Sequence, residues 1–97
     1  MIVELVDIRI RPGDSAAFEE AMRESIATFT AHVQGFQGCQ IHRGIESPER
    51  YVLQGFWDTL EDHTVGFRQG PLYAEWLAVI RPFAAAPANV EHFEPLA

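Results

Sequence analysis

The opening stretch "MIVELVDIRIRPGD" carries Val and Ile through strand-like composition and stops at Arg-Pro-Gly-Asp; directly after it the apolar spacing changes. β-branched residues bounded by turn residues read as a strand, here roughly Ile2 to Ile10. From Phe18 the apolar positions fall at Met22, Ile26, Phe29 and Val33, spacings of three and four that share one helix face. Asp14 stands where an N-cap is needed and Gly35 where the helix must stop. Glu19, Glu20, Arg23 and Glu24 take the solvent side. A strand followed by an amphipathic helix is thus fixed by the first third of the chain.

Two further strands follow in "FQGCQIHRGI" and "RYVLQGFW", joined by the polar turn "ESPE". If Gly44 opposes Arg50 in that hairpin, His42 opposes Val52 and Gln40 opposes Gln54, so a histidine and two glutamines share one sheet face. Asp58 or Thr59 can cap the next helix, Gly66 weakens it, and Gly70-Pro71 divides it from another. In these segments Leu60, Phe67, Leu72, Leu77 and Ile80 are expected in the core, and Pro82 ends the second near Arg81. "NVEHFEPL" supplies a last strand whose Pro95 suits an edge or an end.

Strand, helix, strand, strand, broken helix, strand is the split βαβ order of the ferredoxin-like α+β fold, with a four-stranded antiparallel sheet and the helices on one face. The strands carry apolar residues at both parities, Ile41 and Leu53 against Val52 and Phe56, so the open face also requires a cover. The simplest cover is the same sheet of a second copy, a symmetric homodimer. At 97 residues the chain is expected to form one domain spanning residues 1–97. Its core is thin, and association helps to stabilise it.

All seven basic residues are arginine, which excludes Schiff-base chemistry on lysine. A formal net charge of -7 with no basic stripe argues against nucleic acid and anionic membrane as partners. Cys39 is the only cysteine, so an intrachain disulfide is excluded and a reducing compartment fits. No apolar run approaches the ~18 residues of a membrane span, and the N-terminus lacks a signal-peptide pattern. The expectation is a soluble cytoplasmic protein. The four histidines show no HxH or HExxH spacing, so no metal site is expected, and no nucleotide fingerprint appears.

The segments "VELVDIRIRPGDSAAFEEA", "GFQGCQIHRGIESPERYVLQGFWDTLEDH", "FRQGPLYAEW" and "VEHFEP" together resemble the antibiotic biosynthesis monooxygenase (ABM) family over nearly the whole chain. The resemblance implies a homodimeric α+β barrel with a small-molecule pocket between sheet and helices. It also implies a possible oxygenase needing neither metal nor flavin, with molecular oxygen as co-substrate. The family's haem-degrading branch uses an Asn on the first strand, where this chain offers Glu4 and Asp7; its Trp and His positions fall near Gly66 or Phe67 and near Trp76. Its polyketide-oxidising branch uses a Trp, a Tyr and an Arg, roles open here to Tyr73 and Arg81, with Phe67 or Trp76 near the Trp position.

Oxygenation without a cofactor needs a substrate that supplies its own electrons after losing a proton, and a protein that supplies a base and a dry pocket. His63 shares an inward helical face with Leu60 and Phe67 and is the candidate base; a structural histidine is its alternative role. Tyr73 can hold a phenolic substrate and Trp76 can stack on it, or the two are core. Arg68 and Arg81 can bind a carboxylate or an oxyanion, or form salt bridges. His42 and Gln54 line a pocket or stitch a dimer seam. His32 reads as structural, and the facing of His92 depends on how the last strand docks. The function expected is a cofactor-independent monooxygenase of a small electron-rich aromatic or polyketide-like compound. The alternatives are a non-catalytic binder of a small aromatic or apolar ligand, serving in a stress response, and an oxygen-independent isomerase.

Overall fold

A computed structural model describes residues 1–97, apart from the side chain of Thr30. The elements are β1 (Ile2–Arg9), α1 (Ser15–His32), β2 (Phe36–Arg43), β3 (Arg50–Trp57), a π-helix (Asp62–Phe67), α2 (Leu72–Ile80) and β4 (Asn89–Phe93). The strands form one antiparallel sheet in the order β2-β3-β1-β4. This is the ferredoxin-like α+β arrangement, with the helices on one face.

Parity along β1 decides which side chains meet the helices. Glu4, Val6 and Ile8 are buried beneath them, while Val3, Leu5 and Asp7 turn to the other face and are only half-buried. Tyr51, Leu53, Gly55 and Trp57 do the same on β3, opposite Ile8, Val6, Glu4 and Ile2. The stripe of α1 lies on this face, with Phe18 and Met22 both 0% exposed. The Phe18 ring meets Tyr51 at 4.8 Å between centroids and Phe83 at 5.5 Å. Ile80 of α2 closes the same cluster.

The hairpin has the register that sets Gly44 against Arg50: the Gly44 N–H donates to the Arg50 carbonyl at 2.7 Å. His42 pairs with Val52 and Gln40 with Gln54, all on the face away from the helices. Asp14 occupies the cap position of α1, but its side chain makes no capping bond. After α1 the chain turns at Gly35, whose φ of 79° favours glycine. A Cβ there would also collide with the Asp62 carboxylate, so glycine is required twice over.

The segment after β3 departs from expectation. Thr59 rather than Asp58 caps it, accepting the Asp62 N–H at 3.1 Å, and residues 62–67 are then π-helical instead of α-helical. The Arg68 N–H reaches back five residues to the His63 carbonyl at 3.1 Å, which widens the turn. Leu60, expected in the core, is 39% exposed, because it precedes the widened turn and stands outside the helix-sheet interface. No helix of the described residues is long and apolar enough to cross a membrane.

Phe18→Ala should lower the unfolding free energy by about 3–5 kcal/mol, because it removes a fully enclosed ring. Leu60→Ala should change it by no more than about 0.5 kcal/mol. Urea titrations of the two variants beside the unmodified protein check both values.

Candidate active site

A buried acid on the central strand organises the space between sheet and helices. Glu4 is 7% exposed, and the glycine opposite it on β3 makes room: a Cβ on Gly55 would stand 3.0 Å from Glu4 Oε1. An ionised or neutral carboxyl in such a place needs partners, and it has two. The Trp57 Nε1–H donates to Oε1 at 2.9 Å, and His63 Nε2 lies 3.2 Å from Oε2. The second ring nitrogen of His63, Nδ1, is 2.7 Å from Nε2 of His92 on β4. Three elements therefore deliver one continuous row: Glu4 from β1, His63 from the π-helix, His92 from β4.

The π-helix sets His63 in this row. A turn closed by bonds spanning five residues brings residues four apart nearly over one another, and the His63 and Phe67 rings lie almost parallel, 20° apart at 5.9 Å. Trp57 packs against both His63 at 4.8 Å and Phe67 at 5.8 Å, and touches Phe36 at 5.0 Å. His63 is 3% exposed and is enclosed by rings as well as hydrogen-bonded.

Beside this row is a cavity of about 40 Å3 whose walls include Glu4, Phe29, Phe36, Trp57, Phe67 and Trp76. Ile26, Val33, Cys39 and Leu53 complete it, so Glu4 and the Cys39 thiol are the ionisable groups among the described lining residues. Space of that size takes a few water molecules, and a substrate ring enters only if an aromatic wall gives way. On the far side of Val33 and Phe67 lies a wider surface groove of about 380 Å3, bounded also by His32, Asp62, Val65 and Leu72. Val33 and Phe67 belong to both hollows. The groove is larger, but the buried Glu4 carboxyl lines the small cavity.

Burial pushes both members of the pair toward their neutral forms. The Glu4 carboxyl is raised chiefly by loss of water, an effect partly offset by the Trp57 hydrogen bond and the charge of Arg68. His63 falls from 6.5 to about 4, through burial first and then the proximity of His92 and Arg68. Burial and Arg68 lower His92 as well. The Cys39 thiol is pushed up to about 11 by burial and by Glu4, so at neutral pH it is no nucleophile. The row does not surround a common point, and among the described residues no group of three acidic, histidine or cysteine side chains is arranged to hold a metal ion.

The residues singled out from sequence are distributed unevenly about this centre. Phe67 and Trp76 are cavity walls, and His63 lies behind Glu4 rather than on the lining. Tyr73 is half-buried and meets the Phe67 ring edge-on at 5.6 Å, one layer outside the cavity. Arg68 is exposed but close enough for its charge to act on Glu4, His63 and His92. Arg81 is exposed at the C-terminal cap of α2 and does not line the cavity. His42 and Gln54 are on the opposite face of the sheet. His92, whose facing was open, pairs with Glu4 across β1 and β4 and points inward. Sequence reading passed over Glu4 as a functional group. Two signals pointed to it: an acid at the inward parity of β1, and a glycine in mid-strand at Gly55, a common mark of close approach.

Folding lowers the proton affinity of His63, so the stability it contributes is complete above pH 6.5 and is lost as pH falls toward 4. Between pH 7 and 4.5 this is worth roughly 2–3 kcal/mol at 1.36 kcal/mol per pH unit. Urea unfolding across that range should show a steeper loss for the unmodified protein than for His63→Gln, which has no imidazole to charge.

Comparison with known proteins agrees with the fold. The sequence model of the family described as antibiotic biosynthesis monooxygenase matches residues 1–79. The uncharacterised protein YczJ of Bacillus subtilis (strain 168) is 34% identical over 94 residues, covering 97% of this chain and 98% of its own length. The crystal structure of a candidate antibiotic biosynthesis monooxygenase from Bordetella bronchiseptica superposes with a TM-score of 0.93 at 33% identity, covering 99% of this chain and 97% of that one. A similarly described protein of Nitrosomonas europaea, 22% identical with full coverage of both chains, shares the fold with a TM-score of 0.82. The chain belongs to the antibiotic biosynthesis monooxygenase family.

Proposed function

We propose that the protein is a cofactor-independent monooxygenase of a small electron-rich aromatic compound bearing an ionisable hydroxyl, with Glu4 as the base. One observation carries this reading: a buried carboxyl with raised proton affinity stands in a cavity otherwise walled by apolar and aromatic side chains. Such a carboxylate is a stronger base than one in water, and a cavity walled by aromatic rings suits a planar ring. Family membership supports the reaction class.

The substrate hydroxyl gives its proton to Glu4, and the resulting oxyanion pushes electron density into the ring. The ring passes one electron to molecular oxygen, the ring radical and superoxide combine at a ring carbon as a peroxide anion, and a proton drawn from solvent water converts it to the hydroperoxide. Loss of water leaves a quinone. One oxygen atom enters the product, the other leaves as water, and every electron comes from the substrate. Trp57 and His63 hold the Glu4 oxygens in place, and Phe67 and Trp76 sandwich or flank the ring. Entry requires the Phe67 ring to swing toward the groove beyond it. Tyr73, against Phe67, steadies that ring; Arg68 acts only through its charge, and Arg81 takes no part.

Oxygen uptake by chelator-treated protein, measured against a panel of hydroquinones and anthrones, tests the reaction. Uptake should persist without metal, and Glu4→Gln, which keeps the shape and can still accept the Trp57 hydrogen bond, should reduce its rate by roughly 10²-fold or more. Compounds that bind without any uptake would overturn the oxygenase reading in favour of a binding protein. Turnover that continues without oxygen would overturn it in favour of an isomerase.

A second copy is proposed to cover the open sheet face, where Val3, Phe56 and Phe93 form a cross-strand apolar row beside Leu5 and Val52. Phe93 is 44% exposed in the single chain. Native mass spectrometry at micromolar concentration should give a dimer, and Phe56→Glu should shift it to monomer.

A further inference from the structure

The cavity accounts for one side of Glu4; His63 and His92 stand on the other. A buried histidine whose role is structural usually has one ring nitrogen tied to a backbone carbonyl, which fixes the tautomer. Here both nitrogens face groups that can either donate or accept: the Glu4 carboxyl at 3.2 Å and the His92 imidazole at 2.7 Å. The row can therefore be satisfied in two opposite senses. In one, His92 donates to His63 and His63 donates to Glu4. In the other, a protonated Glu4 donates to His63 and His63 donates to His92. The row ends on β4, the edge strand of the sheet, where His92 is only half-buried.

We infer that Glu4, His63 and His92 form a proton path leading from the buried cavity to solvent at the β4 edge, with His92 as its outer exchange point. This rests on Glu4 being the group that takes the substrate proton. The Glu4 Oε2–H bond breaks as a proton passes to His63 Nε2, and the proton on His63 Nδ1 moves to His92 Nε2. The proton on His92 Nδ1 then leaves to water. Each group gains one proton and loses one, no electrons are transferred, and Glu4 returns to its basic form. Trp57, donating to Oε1, leaves Oε2 as the oxygen that exchanges.

The charges facing the row favour transit over storage. Arg68 bears on all three groups, and burial and Arg68 together disfavour an imidazolium at either histidine. Cys39, on the remaining side of Glu4, stays a neutral thiol. His63 and His92 are positioning and relaying residues; neither lines the cavity.

The test uses the intact protein with 15N-labelled histidine and no substrate, so its result does not depend on whether the oxygenase reading holds. In the unmodified protein the His63 Nδ1 and Nε2 resonances should lie between the values for protonated and bare nitrogens, reporting exchange between tautomers. His92→Gln can still donate a hydrogen bond to His63 Nδ1 but cannot pass a proton onward. It should slow exchange of the His63 ring proton with water by about 10-fold or more. His92→Phe should do the same if it folds. A single fixed His63 tautomer in the unmodified protein, or exchange unaltered in His92→Gln, would overturn the proton path.

Discussion

A carboxyl group enclosed by the sheet and helices is the constraint to which the surrounding structure answers. Leaving Glu4 without partners would cost several kcal/mol, more than a domain of this size spares easily. Its environment is therefore specified by β3 and by the π-helix that follows it. Gly55 withholds a side chain so that the carboxyl can lie across β3, Trp57 brings an indole N–H to one oxygen, and His63 brings an imidazole to the other. No buried side-chain nitrogen or oxygen among the described residues lacks a partner.

That constraint also explains the division of the space under the helices. Toward the Arg9 end of β1 the core is ordinary close packing of Val6, Ile8, Phe18, Met22 and Tyr51. Toward the Ile2 end the rings of Phe29, Phe36, Trp57, Phe67 and Trp76 surround the acid and leave a small cavity. Rings meeting at angles, such as Phe29 and Trp76 at 72°, do not fill space as aliphatic chains do. One end of the sheet is closely packed, and the other holds the acid and the cavity.

Most of the architecture was legible because it follows from local rules. The change of apolar period between Ile10 and Phe18 separates β1 from α1, and the turn at "ESPE" sets a register that places His42 opposite Val52. The π-helix was not legible: its pattern of apolar residues resembles that of an α-helix, and the difference lies in one extra residue per hydrogen-bonded ring. His63 was identifiable as inward-facing, yet which group it meets depends on strands distant in sequence. Glu4 and His92 lie 88 positions apart and become neighbours only through β1–β4 pairing. An acid at an inward strand position reads from sequence as an irregularity, and only its partners reveal a site. The resemblance points to Tyr73 and Arg81, but the course of α2 brings Trp76 to the cavity instead.

Val33 and Phe67 form a partition one side chain thick between the inner cavity and the outer groove. Volume gained on one side by moving the Phe67 ring is volume lost on the other. Occupancy of the two hollows would thus be linked with a negative sign: a molecule lodged against the outer side of Phe67 would resist filling of the inner one, and a ring seated beside Glu4 would narrow the groove. By reciprocity each such ligand would weaken the other by the same factor, with no contact between the two molecules.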